Sequence, residues 1–335
     1  MNILAEYVWI GGNNELRSKT RVLILDTVSI YNIPMWDYDG SSTNQATCKE
    51  SEVILKPKVY YRDPFRTPND IIVLCGTYNM MGEPLKNNHR DMAEAIFNKY
   101  PYDSSYEEPW FGIEQEYFLI DPISSKPLGY NSNNIQGQYY CSVGALNAFG
   151  RNIVEEHLQL CLLAGLKMSG INAEVAPGQW EYQVGPCVGI DSGDQLWIAR
   201  YIMERVTEKY NMIVSLEPKP LKGNWNGSGC HTNFSTKKMR DKNGINEIYK
   251  AIEKLKMKHN EHMLVYGEGN CDRLSGNHET SSYNTFTSGN SDRGASIRIG
   301  TRTINEGMGY FEDRRPSANM NPYLVTAKIF ETIMN

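Results

Sequence analysis

The sequence predicts an α+β protein: a small strand-rich unit over residues 1–85, followed by a larger mixed unit over residues 86–335. Two changes of texture carry that expectation. Up to about residue 85, short apolar runs alternate with clusters of Asp, Asn, Pro and Gly, the pattern of strands and turns. Beyond "GEPLKNNHR" apolar residues recur at helical spacing over long segments, interrupted by stretches rich in glycine and aromatics.

In the first unit "AEYVWI", "RVLIL" and "DIIVLCGTY" read as strands. In the second, helical spacing covers 87–99, 147–167, 193–211 and 245–266, the third with Leu196, Ile202, Met203 and Val206 on one stripe. A last helix, 321–334, opens on "NPY" with proline in its first turn. Strand-like runs lie at 110–120, 171–188 and 224–235. His259 and His262 stand three apart on a helix; since "HNEHM" is not HExxH, a surface pair is expected.

A chain of 335 residues, 40% hydrophobic and 22% charged, has the make-up of a globular protein and lacks any apolar run near the roughly 20 residues of a membrane span. The start, "MNILAEYVWIGG", has neither a basic region nor a long apolar core, so no secretory or transit segment is expected. Seven cysteines never fall as CxxC, which argues against a disulfide framework or zinc knuckle and for a cytoplasmic setting. A net charge of −5 without a basic cluster excludes nucleic acid as the natural partner. No GxxxxGK[ST] is present, and "GSGCHT" is not followed by the helix of a dinucleotide fingerprint. Phosphate chemistry here would fall to metal ions and arginine.

The run "WFGIEQEYFLI" poses that question directly. Glu114 and Glu116 are two apart on a strand, so they share a face in an apolar setting where like charges resist ionising. A bound cation reverses the sign of that penalty. "NAEVAPGQWEYQVGP" adds Glu174 and Glu181 on either side of a Pro-Gly turn, "GNWNGSGCHTNFS" adds His231, and "GYFEDRRPS" adds Glu312. Singly, each of these glutamates reads as a solvated loop residue. Together, five carboxylates and one imidazole suit Mg²⁺ or Mn²⁺ better than zinc. Arg273, Arg293, Arg298 and Arg314 supply guanidinium forks for carboxylate and phosphate oxygens, the bland alternative being pairing with the abundant carboxylates.

The motifs "WDYDGSST", "WFGIEQEY", "INAEVAPGQWEYQVGPC", "NWNGSGCHTNFS", "RLSGNHET" and "GYFEDRRPS", in this order, resemble glutamine synthetases of the eukaryotic type. The resemblance implies a β-grasp N-terminal domain and a catalytic domain with a curved antiparallel sheet backed by helices. It implies a ligase that makes L-glutamine from L-glutamate and ammonium, with ATP as co-substrate and a γ-glutamyl phosphate intermediate. Two or three Mg²⁺ or Mn²⁺ ions are expected per site, one held by Glu116, Glu174 and Glu181 and another by Glu114, His231 and Glu312. By the same resemblance Asn224, Trp225, Asn226, Gly227, Arg273, Arg293 and Arg314 hold glutamate, while Trp110, Glu181, Asn233, Ser235, Arg293, Arg298 and Tyr310 serve ATP. Asp39 is expected to receive ammonium, Glu279 to close over the intermediate and Arg293 to contact the transferred phosphate. The implied assembly is a homo-decamer of two pentameric rings, with active sites between adjacent subunits.

The sequence departs from the pattern in three places. It begins almost at the first strand, without the usual helical extension; "SIRIGTRT" has Gly300 and Thr301 where an Ile-Pro-Arg run is usual; and "GYNSNNIQGQYYC" lacks stiffening prolines. Rival readings are a γ-glutamyl-amine ligase, a phosphagen kinase and a non-catalytic structural relative. Asp39 and Glu279 weigh against the first, the full set of amidation motifs against the second and the complete ligand set against the third.

Overall fold

The computed structural model describes residues 2–100 and 108–335. They form two compact units, Met1–Ala95 with Gln159–Leu166, and Ile96–Leu158 with Lys167–Asn335.

The first unit is built on a mixed five-stranded sheet of β1 (Asn2–Ile10), β2 (Leu16–Ile24), β3 (Trp36–Asp39), β4 (Glu52–Arg62) and β5 (Ile71–Tyr78), in the order β2-β1-β5-β4-β3. Strands β1 and β5 run parallel and the other neighbours antiparallel. Strand alternation explains its core: Ile3, Ala5, Tyr7 and Trp9 fall on one face of β1 and bury with Leu55 and Val73. Pro57, which cannot donate to a ladder, stands where the β4–β5 register shifts.

The rest of the chain contributes α1 (His89–Asn98), β6 (Trp110–Asp121), β7 (Lys126–Pro127), α2 (Arg151–Ala164), β8 (Met168–Ala173) and β9 (Gln179–Val188). Then come α3 (Asp191–Tyr210), β10 (Ile213–Ser215), β11 (Cys230–Ser235), α4 (Lys237–Arg240), α5 (Ile245–Met257) and α6 (His259–Met263). The last elements are β12 (Ser288–Asn290), β13 (Ile297–Ile299), α7 (Thr301–Glu306), β14 (Phe311–Asp313) and α8 (Pro322–Met334). Nine strands form a curled sheet in the order β12-β13-β14-β11-β6-β9-β8, with β7 and β10 pairing to β6. Every pair is antiparallel except β12–β13, so the sheet departs at one edge from the wholly antiparallel expectation.

Several boundaries differ from the sequence reading. Stretch 171–188 is two strands around a turn, and 224–235 is strand only from Cys230. Segment 245–266 breaks at Lys258, whose φ of −104° and ψ of 13° leave the helical region. Helix α3 is buried on nearly every side rather than along one stripe, because it packs on β9 and β6 and also against α8.

The expected surface pair of histidines is instead buried. His262 is 0% exposed, with Nδ1 at 2.6 Å from Tyr266 Oη and Nε2 at 2.9 Å from Thr332 Oγ1. Tyr266 gives its proton to Asp313 Oδ2 at 2.7 Å, so Nδ1 of His262 donates and Nε2 accepts. Asp313 is also bound by Arg315 at 2.6 and 2.9 Å, and Arg315 Nη1 lies 3.1 Å from Nδ1 of His259. Burial favours a neutral Asp313, but the Arg315 guanidinium overrides it and holds the carboxyl below its usual range. Helical spacing shows that two side chains share a face; it does not show what covers that face.

Removing Arg315 would leave a buried carboxylate without its cation. Arg315→Met is expected to cost roughly 3–5 kcal/mol in equilibrium urea unfolding; a loss below about 1 kcal/mol would mean that Tyr266 and water suffice.

Candidate active site

Register builds the site. Along β6, β9, β11 and β14, Glu114 stands opposite His231, Glu116 opposite Glu181, and Glu312 opposite both Asn233 and Arg298. Of these, Glu114, Glu116, Glu181, His231 and Arg298 line a cavity of about 520 Å³, where Glu174 and Glu279 join the carboxylates and Arg273, Arg293 and Arg314 the guanidiniums, while Glu312 is buried and not among the lining residues. Gly229 gives the space that this needs: a Cβ there would stand 2.5 Å from Arg273 Nη2 and 2.6 Å from His231 Nε2.

Ligand atoms of Glu114, His231 and Glu312 all lie within 4.8 Å of one another. His231 Nδ1 is 3.5 Å from Glu114 Oε2 and 3.4 Å from Glu312 Oε1, while Nε2 meets Arg273 Nη2 at 3.0 Å. Burial, then the Arg314 guanidinium, hold the imidazole well below its usual pKa; it is neutral and able to ligate. Glu312 already carries two cations, Arg298 Nη1 at 2.7 Å and Arg314 Nη1 at 2.6 Å. Glu116, Glu174 and Glu181 line the same cavity less tightly clustered. Among the described residues Glu174 and Glu181 have amide partners, Asn172 Nδ2 at 2.9 Å and Gln183 Nε2 respectively, and no Lys or Arg within ion-pair distance.

Those three carboxyls titrate high. Burial raises Glu116 although Arg273 opposes it; burial and then Glu116 raise Glu174; burial and then Glu114 and Glu116 raise Glu181. Hard carboxylate oxygens, a neutral imidazole and unbalanced negative charge are the donor chemistry of an Mg²⁺ or Mn²⁺ centre, which these residues fit.

A second cavity of about 480 Å³ adjoins the first, sharing Glu114 and Gln183 as lining residues. Its walls include Trp110, Phe111, Ile113, Pro186, Phe234 and Tyr310, with Asn233 and Ser235. Trp110 is 37% and Tyr310 51% exposed, leaving aromatic faces open to a flat ligand.

The structure gathers most of the expected residues into these two cavities, but not all. Asn224 is exposed, and Trp225 packs with Phe118, Ala176 and Leu221. Asp39 belongs to the first unit and is not among the lining residues; Ser41 N and Oγ donate to its Oδ1 at 3.0 and 2.6 Å, and Ser42 Oγ to its Oδ2 at 2.7 Å. These bonds hold it below the usual carboxylate range. Glu279 follows His278, and both have left-handed backbones, φ 60° and 56°.

Sequence reasoning missed Gln179, Gln183, Asn172 and Arg240. Gln179, Glu181 and Gln183 share one face of β9 by the period of two, and Asn172 is Glu181's cross-strand partner. Gln179 Nε2 reaches Glu116 Oε2 at 3.3 Å and Gly227 O at 3.1 Å. Arg240 stacks over Trp110 at 4.0 Å and donates to Ser235 O and Oγ, both at 3.0 Å. No short-range pattern marks it.

A family profile described as glutamine synthetase, catalytic domain, matches residues 87–335. The chain is 55% identical to a glutamine synthetase nodule isozyme of Lupinus luteus, covering 99% of this chain and 95% of that one. It is 53% identical to the glutamine synthetase cytosolic isozyme 1-1 of Oryza sativa subsp. japonica, over 98% and 93%. A solved chain described as "Apo GmaS without ligand" shares the fold, with a TM-score of 0.77 at 18% identity over 99% of this chain and 77% of its own. Among the described residues no helix is long and apolar enough to cross a membrane.

Because the folded metal-free protein keeps protons on raised carboxyls that the unfolded chain has lost, its stability falls as pH rises above the ordinary carboxylate value of 4.5. Thermal melts from about pH 6 to about pH 8.5 should show that fall, and added Mn²⁺ should reverse it. Glu116→Gln should flatten the fall while weakening Mn²⁺ binding by more than about tenfold in calorimetry. Unchanged Mn²⁺ affinity would remove Glu116 from the ligand set.

Proposed function

The chain belongs to the glutamine synthetase family, and from that membership we propose that it joins L-glutamate to ammonium, driven by ATP, through a γ-glutamyl phosphate. One observation supports this above the others: a cavity of hard ligands and guanidiniums that abuts a cavity with open aromatic faces. An acidic small molecule suits the first and a nucleotide the second.

Arg273, Arg293 and Arg314, with Asn226 and Gly227, would hold glutamate, and Trp110, Asn233, Ser235, Arg298 and Tyr310 the nucleotide. One divalent ion would rest on Glu116, Glu174 and Glu181 and another on Glu114, His231 and Glu312; when bound, such ions neutralise charge on phosphate and carboxylate oxygens. Phosphoryl transfer to the γ-carboxylate of glutamate gives an acyl phosphate and ADP. Ammonia then attacks the acyl carbon and phosphate departs. Ammonium must lose a proton first, and an ionised Asp39 is suited to attract it and then accept that proton. Glu279 would close over the intermediate and exclude water. By the family resemblance, Asp39 of one subunit would serve its neighbour's site, within a cytoplasmic decamer of two five-membered rings.

Purified protein given glutamate, ATP and Mg²⁺ should release phosphate with ammonium or hydroxylamine as acceptor far faster than with putrescine. A preference for putrescine would identify an amine ligase instead. Asp39→Ala should impair use of ammonium while leaving part of the glutamate-dependent ATP cleavage.

The shared site has its own test. Asp39→Ala and Arg314→Ala should each be nearly inactive, yet their co-expressed mixture should recover about a quarter of wild-type activity, the product of two one-half chances at a heterologous interface. No recovery in demonstrably mixed oligomers would place both halves of the site in one chain.

A further inference from the structure

Gln115 lies between the two carboxylates of β6, points to the opposite face and is fully buried. Its Oε1 accepts two bonds from one guanidinium, Arg200 Nε at 2.9 Å and Nη2 at 2.7 Å. Its Nε2 donates to the carbonyls of Glu116 at 2.8 Å and Ala318 at 3.0 Å. Arg200 is 4% exposed on α3 and donates its remaining bonds to the carbonyls of Met320 and Ala318, each at 3.0 Å. Among the described residues it has no carboxylate within ion-pair distance, so every acceptor is a neutral oxygen.

A buried guanidinium of this kind costs stability that an apolar side chain of similar volume would not. What it gains is geometry. The ladder between β6 and β11 ends at Gln115 opposite Cys230, so the peptide after Gln115 lies at the end of that pairing. There the Glu116 amide donates to Gly229 O at 3.0 Å, and the Gln115 side chain takes the Glu116 carbonyl. The planar fork fixes Gln115 Oε1 from two directions, and through it the backbone from which Glu114 and Glu116 project to the other face.

We propose that Arg200 is a positioning residue for the metal centre, acting through Gln115 to hold the β6 segment that presents Glu114 and Glu116. This rests on the reading of both glutamates as ligands. Because they belong to different ligand sets, loosening the segment weakens both ions together. Outer contacts that orient metal ligands commonly change affinity by about 10- to 100-fold when lost.

The test is Mn²⁺ binding by calorimetry without nucleotide, with thermal unfolding of each metal-free variant. Gln115→Leu removes the acceptor and is expected to weaken Mn²⁺ at both sites by about 10- to 100-fold. Gln115→Glu keeps an oxygen for Arg200 but loses the Nε2 donor and sets a carboxylate oxygen against the carbonyls of Glu116 and Ala318, so it is expected to bind as weakly as Gln115→Leu. The double variant Arg200→Met with Gln115→Met removes the buried charge together with its partner, so it should fold and still bind as weakly as Gln115→Leu. Wild-type affinity in a folded Gln115→Leu, in a folded Gln115→Glu or in the double variant overturns the proposal. A wild-type protein that binds no Mn²⁺, or a Glu116→Gln protein that binds it normally, would instead overturn the metal reading itself.

Discussion

Mutual repulsion among Glu114, Glu116, Glu174 and Glu181 in a largely buried cavity is the constraint around which the catalytic sheet is organised. Each carboxylate is held by a strand or strand end whose register leaves it no other direction to point. Relief is unequal. Arg273 and Arg314 oppose the rise at Glu116, while among the described residues Glu174 and Glu181 have amide donors but no Lys or Arg within ion-pair distance. The cavity is therefore polarised: negative toward β8 and β9, positive toward β13 and β14, where Arg298 and Arg314 both grip Glu312. A cation is favoured at one end and an anionic ligand at the other, and a substrate with a carboxylate and a transferable phosphate satisfies both ends at once.

The aromatic cavity extends the same logic along β6. Its strand starts with Trp110 and Phe111 at one cavity and reaches Glu114 and Glu116 at the other, so the first part of one twelve-residue strand spans both chemistries. Glu114, which lines both, stands at their junction. Arg240 completes the aromatic end by lying over Trp110 while it fixes Ser235. A rigid strand in the middle of a sheet sets the distance between the two cavities more closely than a loop could.

Much of this was legible because strand periodicity is short-ranged. Two glutamates flanking one glutamine specify a shared face without knowledge of the rest of the fold, and the Pro-Gly turn between Glu174 and Glu181 does the same for β8 and β9. Elements with strong local signals, such as α8 with Pro322 in its first turn, lie where expected. What failed depended on partners far away in sequence. His259 and His262 look like surface residues until Asp313, Arg315 and Thr332 cover them, and α3 looks one-sided until α8 closes its far side. Lys258 breaks a helix that apolar spacing alone would continue. Gln179 and Gln183 share the Glu181 period, yet as neutral amides they carry no charge that would mark them as site residues.

The segment "FEDRR" shows how little sequence separates the two outcomes. Four charged residues follow one another, and the strand period sorts them: Glu312 and Arg314 pair at 2.6 Å on the cavity face, Asp313 and Arg315 at 2.6 Å on the buried face. The first pair joins the site; the second joins Tyr266 and, through it, His262 in the core. A one-residue slip of β14 would exchange them, sending Asp313 toward His231 and Glu312 into a space closed around a shorter side chain. The core pair thus fixes the register of the site pair. The same division recurs on β6, where Glu114 and Glu116 face the cavity and Gln115 meets Arg200 behind it. On both strands a fully satisfied polar contact at the back determines which charges reach the front, and for that reason these buried polar groups cannot be judged by their stability contribution alone.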